Sequence, residues 1–394
     1  MNQTSMGTRR KPVIITVVLV AILLIVVRLS TAQSRDALAI DNFNGIFSLV
    51  FSENDKKQDE FLKKIEKMQR EFVTSQDERL RALERQNEYL IEQVRQLRIP
   101  LQSMSLREKL MFMVPYDTKA KFPGYIWQLW KHGLNDERFD STFKEGQAQW
   151  AVRNPGFVHE LFNDDTAYAT VKHLYSYVPE VVEAYESLPE VILKMDFFRY
   201  LILFAKGGVY ADVDTFPLQP VPNWIPENVS PTELGLIVAV GTDSRLASWR
   251  QENHRRLEFG NFVIQSKPGH PVLRDTIAHI TQQTLREKAN LADGQRLTLE
   301  GSPNQRLLAI SRWTGAGTWT DNILRYLNDY VQSLVYQSIT WKEFHDLETP
   351  KLVGDVLVLP IKSFASELEI PKDNKVLDPI AFVKHYAASI WKTT

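Results

Sequence analysis

The stretch KMDFFRYLILFAKGGVYADVDTFP, residues 194–217, limits the possible folds more than any other part of the chain. Residues 194–208 predict an amphipathic-to-buried helix that ends on Gly207 and Gly208, and VYADVDTF then reads as a strand edge. A helix delivered by a tight turn onto a strand calls for a layered architecture. The surrounding sequence agrees. YIWQLW (125–130), LGLIVAVG (234–241) and FGNFVIQSK (259–267) read as strands, and AQWAVRNPGF (148–157) as a short strand and turn. DDTAYATVKHLY (164–175) and EVVEAYESL (180–188) read as helices. Strands alternating with helices predict an α/β fold, a mixed sheet flanked by helices, rather than a bundle or a sandwich.

Asp212 and Asp214 are the chemical feature of that stretch. If residues 212–214 are extended, both carboxylates share one face and Val213 points the other way into the core. Two carboxylates so placed repel unless a cation or hydrogen-bond donors compensate them, and oxygen ligands suit Mg²⁺ or Mn²⁺. Such a metal neutralises phosphate; the alternative is a solvated turn. Asp196 and Arg199, three apart on one helical face, either converge on a ligand or form an intrahelical salt bridge. Gly207 and Gly208 permit a backbone turn closed to other residues, or simply cap the helix.

The 394 residues carry 47 basic and 48 acidic side chains, a formal charge of -1, so no global electrostatic case exists for a nucleic-acid partner. With no cysteine, disulfides and thiolate chemistry are excluded, and any metal must take oxygen or histidine nitrogen. RRK at 9–11 precedes the aliphatic run PVIITVVLVAILLIVV, 12–27. As a helix, about 16 residues rise roughly 24 Å, near the thinner end of bilayer thickness. The expected organisation is a cytoplasmic tail (1–11), a signal-anchor helix (12–29), a stem (30–99) and a lumenal domain (100–394). A signal peptide cleaved near LSTAQS is the rival reading. Residues 53–98 hold 11 acids and 11 bases with no Pro or Gly, which predicts a long polar helix. Leu83, Leu90 and Leu97 fall seven apart, so the helix is either a solvated spacer or a coiled coil. Pro100 ends it, and Ser105 caps a short helix that follows.

MDFFRYLILFAKGGVYADVDT (195–215) resembles the central signature of the DxD-containing glycosyltransferases grouped as family 32, and FPGYIWQLWK (122–131) resembles their first strand. FGNFVIQSKPGHPVL (259–273), TGAGTWTD (314–321) and HYAASIWK (385–392) follow in the family's order. SLREKLMFMVPYDTKAKFPGYIWQLWK is similar to the opening of the fungal initiation-type α-1,6-mannosyltransferases, and the resemblance spans about residues 104–392. It implies a retaining enzyme of the Golgi apparatus membrane, single-pass type II, with a GT-A nucleotide-sugar-binding fold. The donor it implies is GDP-mannose, the cofactor Mn²⁺ and the acceptor a Man-rich protein N-glycan. Related activities keep two alternatives open: a mannan polymerase subunit elongating an α-1,6 chain, and an inositol phosphoceramide mannosyltransferase. The stalk would mediate a homodimer or a mannosyltransferase complex.

The resemblance also implies residue roles. Asp214 looks like the metal ligand bridging the diphosphate, and Asp212 like the residue touching ribose, sugar and metal-bound water. Asp196 and Arg199 look like donor-sugar and diphosphate contacts, and Gly208 like part of the donor site. By the same resemblance His385 would complete the metal shell, Trp391 would donate its indole N–H to phosphate and Lys392 would supply charge. The chain departs from the pattern at Ser389-Ile390, where Gly-Ser is usual, and at Ala316, where proline is common.

Overall fold

A computed structural model describes residues 55–96, 99–131, 141–292, 294–331, 338–366 and 378–386. The expected anchor at 12–29 and the residues Trp391 and Lys392 lie outside them. Among the described residues no helix is long and apolar enough to cross a membrane. The chain divides into two units, Met1–Ile91 and Glu92–Thr394.

The expected polar helix is α1, Asp55–Gln96. Taken by itself it exposes Leu80, Leu83 and Leu90. The second unit then runs α2 (Leu106–Met113), β1 (Tyr125–Leu129), α3 (Ser141–Arg153), β2 (Val158–Phe162), α4 (Asp164–Leu174), α5 (Pro179–Ser187), α6 (Val191–Lys206) and β3 (Gly208–Ala211). After it come β4 (Thr215–Pro217), β5 (Leu236–Asp243), β6 (Leu257–Phe259), β7 (Val263–Ser266), α7 (Pro271–Ala289), α8 (Pro303–Trp313) and α9 (Ala316–Tyr326). β8 (Lys351–Val353), β9 (Val356–Leu359), α10 (Ile361–Phe364) and β10 (Val383–His385) complete it.

The main sheet has the order β2-β1-β3-β7-β5-β9-β8, with β6 beside β5. It is mixed: β1 is parallel to β2 and β3, and β5 to β9, whereas β7 is antiparallel to both β3 and β5. Strand alternation divides the core between the two faces. Trp127, Tyr210, Val238 and Ile264 pack with α6 and α7, while Ile126, Val209, Ile237 and Val263 pack with Trp150 of α3 and Phe364 of α10. The expected helix after residue 100 is capped as read, by a reciprocal box between Ser105 and Glu108.

One expected element is corrected. Residues 148–153 belong to helix α3, not to a strand. The alternation of Ala148, Trp150 and Val152 imitates a strand, but the buried positions are Phe143, Gly146 and Trp150, a helical spacing. Asn154 donates from Nδ2 to the Trp150 carbonyl at 2.9 Å, and the strand follows as β2. Gly146 lets α3 lie close on β4, because a Cβ there would stand 2.8 Å from the Thr215 carbonyl oxygen.

Candidate active site

Strand β3 stops at Ala211, so Asp212, Val213 and Asp214 are not an extended segment but a turn between β3 and β4. Two donors of Thr215 close it on the Asp212 carbonyl, the backbone N–H at 3.1 Å and Oγ1 at 2.5 Å. Trp150 Nε1 donates to that same Oγ1 at 3.2 Å, tying the turn to α3. Asp212 N–H donates to the Phe262 carbonyl at 2.8 Å. Val213 is buried with Phe143, as read, while both carboxylates line a cavity of about 1180 Å³.

Strand β10 pairs antiparallel with β4, setting His385 opposite Thr215. His385 Nε2 therefore stands 3.5 Å from Asp214 Oδ1, and the Tyr386 N–H donates to the Asp214 carbonyl at 3.0 Å. The imidazole stacks on Phe262 with centroids 4.1 Å apart. One carboxylate oxygen and one ring nitrogen at this separation are a donor set that fits a borderline or hard divalent cation.

Helix α6 supplies the third edge. Arg199 Nη2 lies 2.9 Å from Asp196 Oδ1 and 3.3 Å from Asp212 Oδ1, and Nη1 donates to the Asn261 carbonyl at 2.6 Å. The intrahelical salt bridge and the convergence on a common site are thus both present. Asp196 also accepts from Asn261 Nδ2 and Thr314 Oγ1, each at 3.1 Å. Arg199 Nε is buried without a hydrogen-bond partner among the described residues.

Desolvation pushes the Asp212 carboxyl up to about 6; Arg199 and His385 oppose the shift, and Asp214 and Asp196 add to it. Burial likewise raises Asp196 against Arg199, Thr314 and Asn261. Burial works against the charge of Arg199, yet Asp212 and Asp196 hold its pKa above normal. Asp214 adds to the upward shift of Asp212, a repulsion that a cation bound between the two carboxylates would relieve.

Gly208 does not line the cavity. It has φ +93, and a Cβ there would meet Tyr125 at 2.7 Å, so it serves the close approach of β3 to β1. Gly207, with φ +67, caps α6 against Pro268. Ala316 is the first residue of α9, a position open to both Ala and Pro, so the departure there leaves the turn intact. A Cβ on Gly317 would stand 2.4 Å from His254.

Asn261 and Thr314 lie in the motifs GNF and TGAG, where nothing local marks either as a hydrogen-bond partner of Asp196. Asp243, His345 and Asp346 also bring ligand atoms within 4.8 Å of one another. Their atoms are engaged in ion pairs, with His345 Nδ1 2.7 Å from Asp243 and Arg245 Nη2 2.7 Å from Asp346.

The family model for the glycosyltransferase sugar-binding region containing the DXD motif matches residues 140–231. The chain is 43% identical to "Putative glycosyltransferase HOC1" of Saccharomyces cerevisiae over 84% of this chain and 80% of that protein. It is 39% identical to the initiation-specific α-1,6-mannosyltransferase of Candida albicans over 73% of this chain and 77% of that protein. The protein of the same description in Schizosaccharomyces pombe is 36% identical, over 71% of this chain and 66% of that protein.

Proposed function

The chain belongs to the glycosyltransferase family whose sugar-binding region contains the DXD motif, and from that premise we propose that it is a retaining α-1,6-mannosyltransferase. The donor is GDP-mannose and the acceptor a Man-rich protein N-glycan. One observation carries the reading: Asp214 with His385, and Arg199 bridging Asp196 to Asp212, open on one cavity. That cavity joins a cation-binding corner to a fixed guanidinium, as a nucleoside diphosphate sugar requires, and the mixed sheet supports the GT-A assignment. The mannosyltransferase relatives support the sugar and the linkage.

Asp214 and His385 would hold Mn²⁺, which when bound supplies charge to offset the departing diphosphate. Arg199 contributes a permanent positive charge held in place by two carboxylates, so no reorganisation is needed as the leaving group gains charge. Asp196, fixed by Asn261 and Thr314, faces the same cavity and orients donor-sugar hydroxyls. Asp212 would orient the donor beside the cation. Both donor and product are α-linked, so configuration is retained, with the leaving phosphate taking the acceptor proton on the attacked face. Trp391 and Lys392 complete the phosphate contacts.

The enzyme is a single-pass type II protein of the Golgi membrane, with tail 1–11, anchor 12–29, stem 30–99 and lumenal domain 100–394. The exposed Leu83 and Leu90 of α1, seven residues apart, support self-association or entry into a mannosyltransferase complex. The full chain in detergent, given GDP-mannose, Mn²⁺ and a Man-rich N-glycan, should add one mannose that α-1,6-specific digestion removes. Transfer only to inositol phosphoceramide, or only onto an extended α-1,6 chain, would overturn the acceptor assignment.

A further inference from the structure

Glu258 of β6 is a carboxylate in the cavity wall with no part in the reaction above. It is only 7% exposed. Its Oε1 accepts three hydrogen bonds: from the backbone N–H groups of His254 and Arg255, each at 2.9 Å, and from Ser311 Oγ at 3.3 Å. Oε2 carries none of these bonds. The backbone that grips Oε1 is itself held, because Arg255 pairs with both oxygens of Asp321 on α9 at 2.7 and 2.6 Å. Ser311 Oγ also accepts from the Gly317 N–H at 3.0 Å, so Glu258 and Asp196 are both tied to the segment Ser311–Gly317.

Oε2 is not among the buried side-chain atoms left without a partner, so it is reached from the cavity that Glu258 lines. Oε1 alone accounts for the local backbone. An oriented carboxylate oxygen in a cavity that also holds Asp196 suits a sugar hydroxyl, which donates one strong bond to an ionised acceptor.

We propose that Glu258 is a sugar-binding residue of this site, its Oε2 accepting a hydrogen bond from a hydroxyl of a hexose in the cavity. The inference rests on the transferase reading above. The hexose is either the donor's or the acceptor's, and these share the chemistry.

Glu258→Gln separates this role from a structural one. The amide oxygen still accepts at the Oε1 position, while the Oε2 position becomes an N–H₂ donor. In the detergent-solubilised full chain, the unfolding midpoint should stay unchanged and KM should rise about 10- to 100-fold for one substrate. A rise for GDP-mannose assigns the donor sugar, and a rise for the Man-rich glycan assigns the acceptor. The deoxy analogue of that substrate lacking the contacted hydroxyl should then be used equally by both proteins. Unchanged KM values, or a fall in kcat together with the unfolding midpoint, would overturn the proposal, as would failure of every deoxy analogue to equalise the two proteins. If the Gln variant does not fold, Glu258→Asp, which keeps the charge but withdraws it, should give the same selective KM rise. Wild-type protein that transfers to no sugar acceptor would sink the transferase reading itself, whereas active wild type with an indifferent Glu258→Gln sinks only this one.

Discussion

His385 Nε2 stands 3.5 Å from Asp214 Oδ1, although 171 positions separate the two residues in the sequence. The ladder between β4 and β10 makes the contact, so a short two-stranded sheet sets the spacing of the proposed metal ligands.

His385→Ala should therefore raise the Mn²⁺ concentration needed for half-maximal transfer by about 10-fold or more, with the fold preserved. Asp214→Asn should lower kcat/KM on the order of 100-fold, since a neutral oxygen replaces an anionic ligand. Metal titration of the transfer rate checks both, and unaltered Mn²⁺ dependence in a folded His385→Ala protein would remove His385 from the ligand set.

Arg199 is the buried cation on which Asp196 and Asp212 both depend. Arg199→Met leaves two carboxylates uncompensated and should destabilise the protein by about 3–5 kcal/mol. Arg199→Lys keeps the charge but not the planar fork that also reaches the Asn261 carbonyl, so it should cost less. Urea unfolding orders the three proteins; equal midpoints would show that the bridge contributes nothing.

Much of this was legible in the sequence. The α6–glycine–β3 order, the cap at Ser105 and the mixed sheet all follow from local signals of capping, breaking and periodicity. So did the candidate pairs, because Asp196 with Arg199 is a matter of helical spacing. The turn at 212–214 was not legible, since its closure depends on Thr215 and on Trp150 from a helix that reads locally as a strand. Nor was the close approach of β1 to Gly208. Contacts between distant segments, such as Asn261 and Thr314 on Asp196, leave no periodic trace.

Thr215 joins Trp150 to the turn that presents both aspartates. Thr215→Val removes a buried hydroxyl that donates to the Asp212 carbonyl and accepts from the indole. It should cost about 1–3 kcal/mol in unfolding. Because the displaced groups include the proposed metal ligand Asp214, it should also weaken Mn²⁺ activation, whereas Trp150→Phe should show the smaller metal effect. Stability loss with unchanged Mn²⁺ activation would confine Thr215 to the core.

Asp355, in the turn between β8 and β9, gathers Tyr116, Tyr326 and His270 around one carboxylate. Tyr326 donates to it at 2.9 Å, Tyr116 donates to its other oxygen, and His270 Nε2 stands 3.4 Å away. Burial alone would raise its pKa, but these three neighbours hold it down to about 2. An unfolded aspartate titrates near 3.9, so the folded value is depressed. Its contribution, roughly 2 kcal/mol, is fully present above about pH 5 and falls as pH drops through 4 toward 2, with about half gone by pH 3. Asp355→Asn should lower stability at pH 7 and lose less between pH 7 and 3 than the wild type does. Urea midpoints of both proteins at those two pH values read the difference, and parallel losses would show that Asp355 has no share in the acid sensitivity.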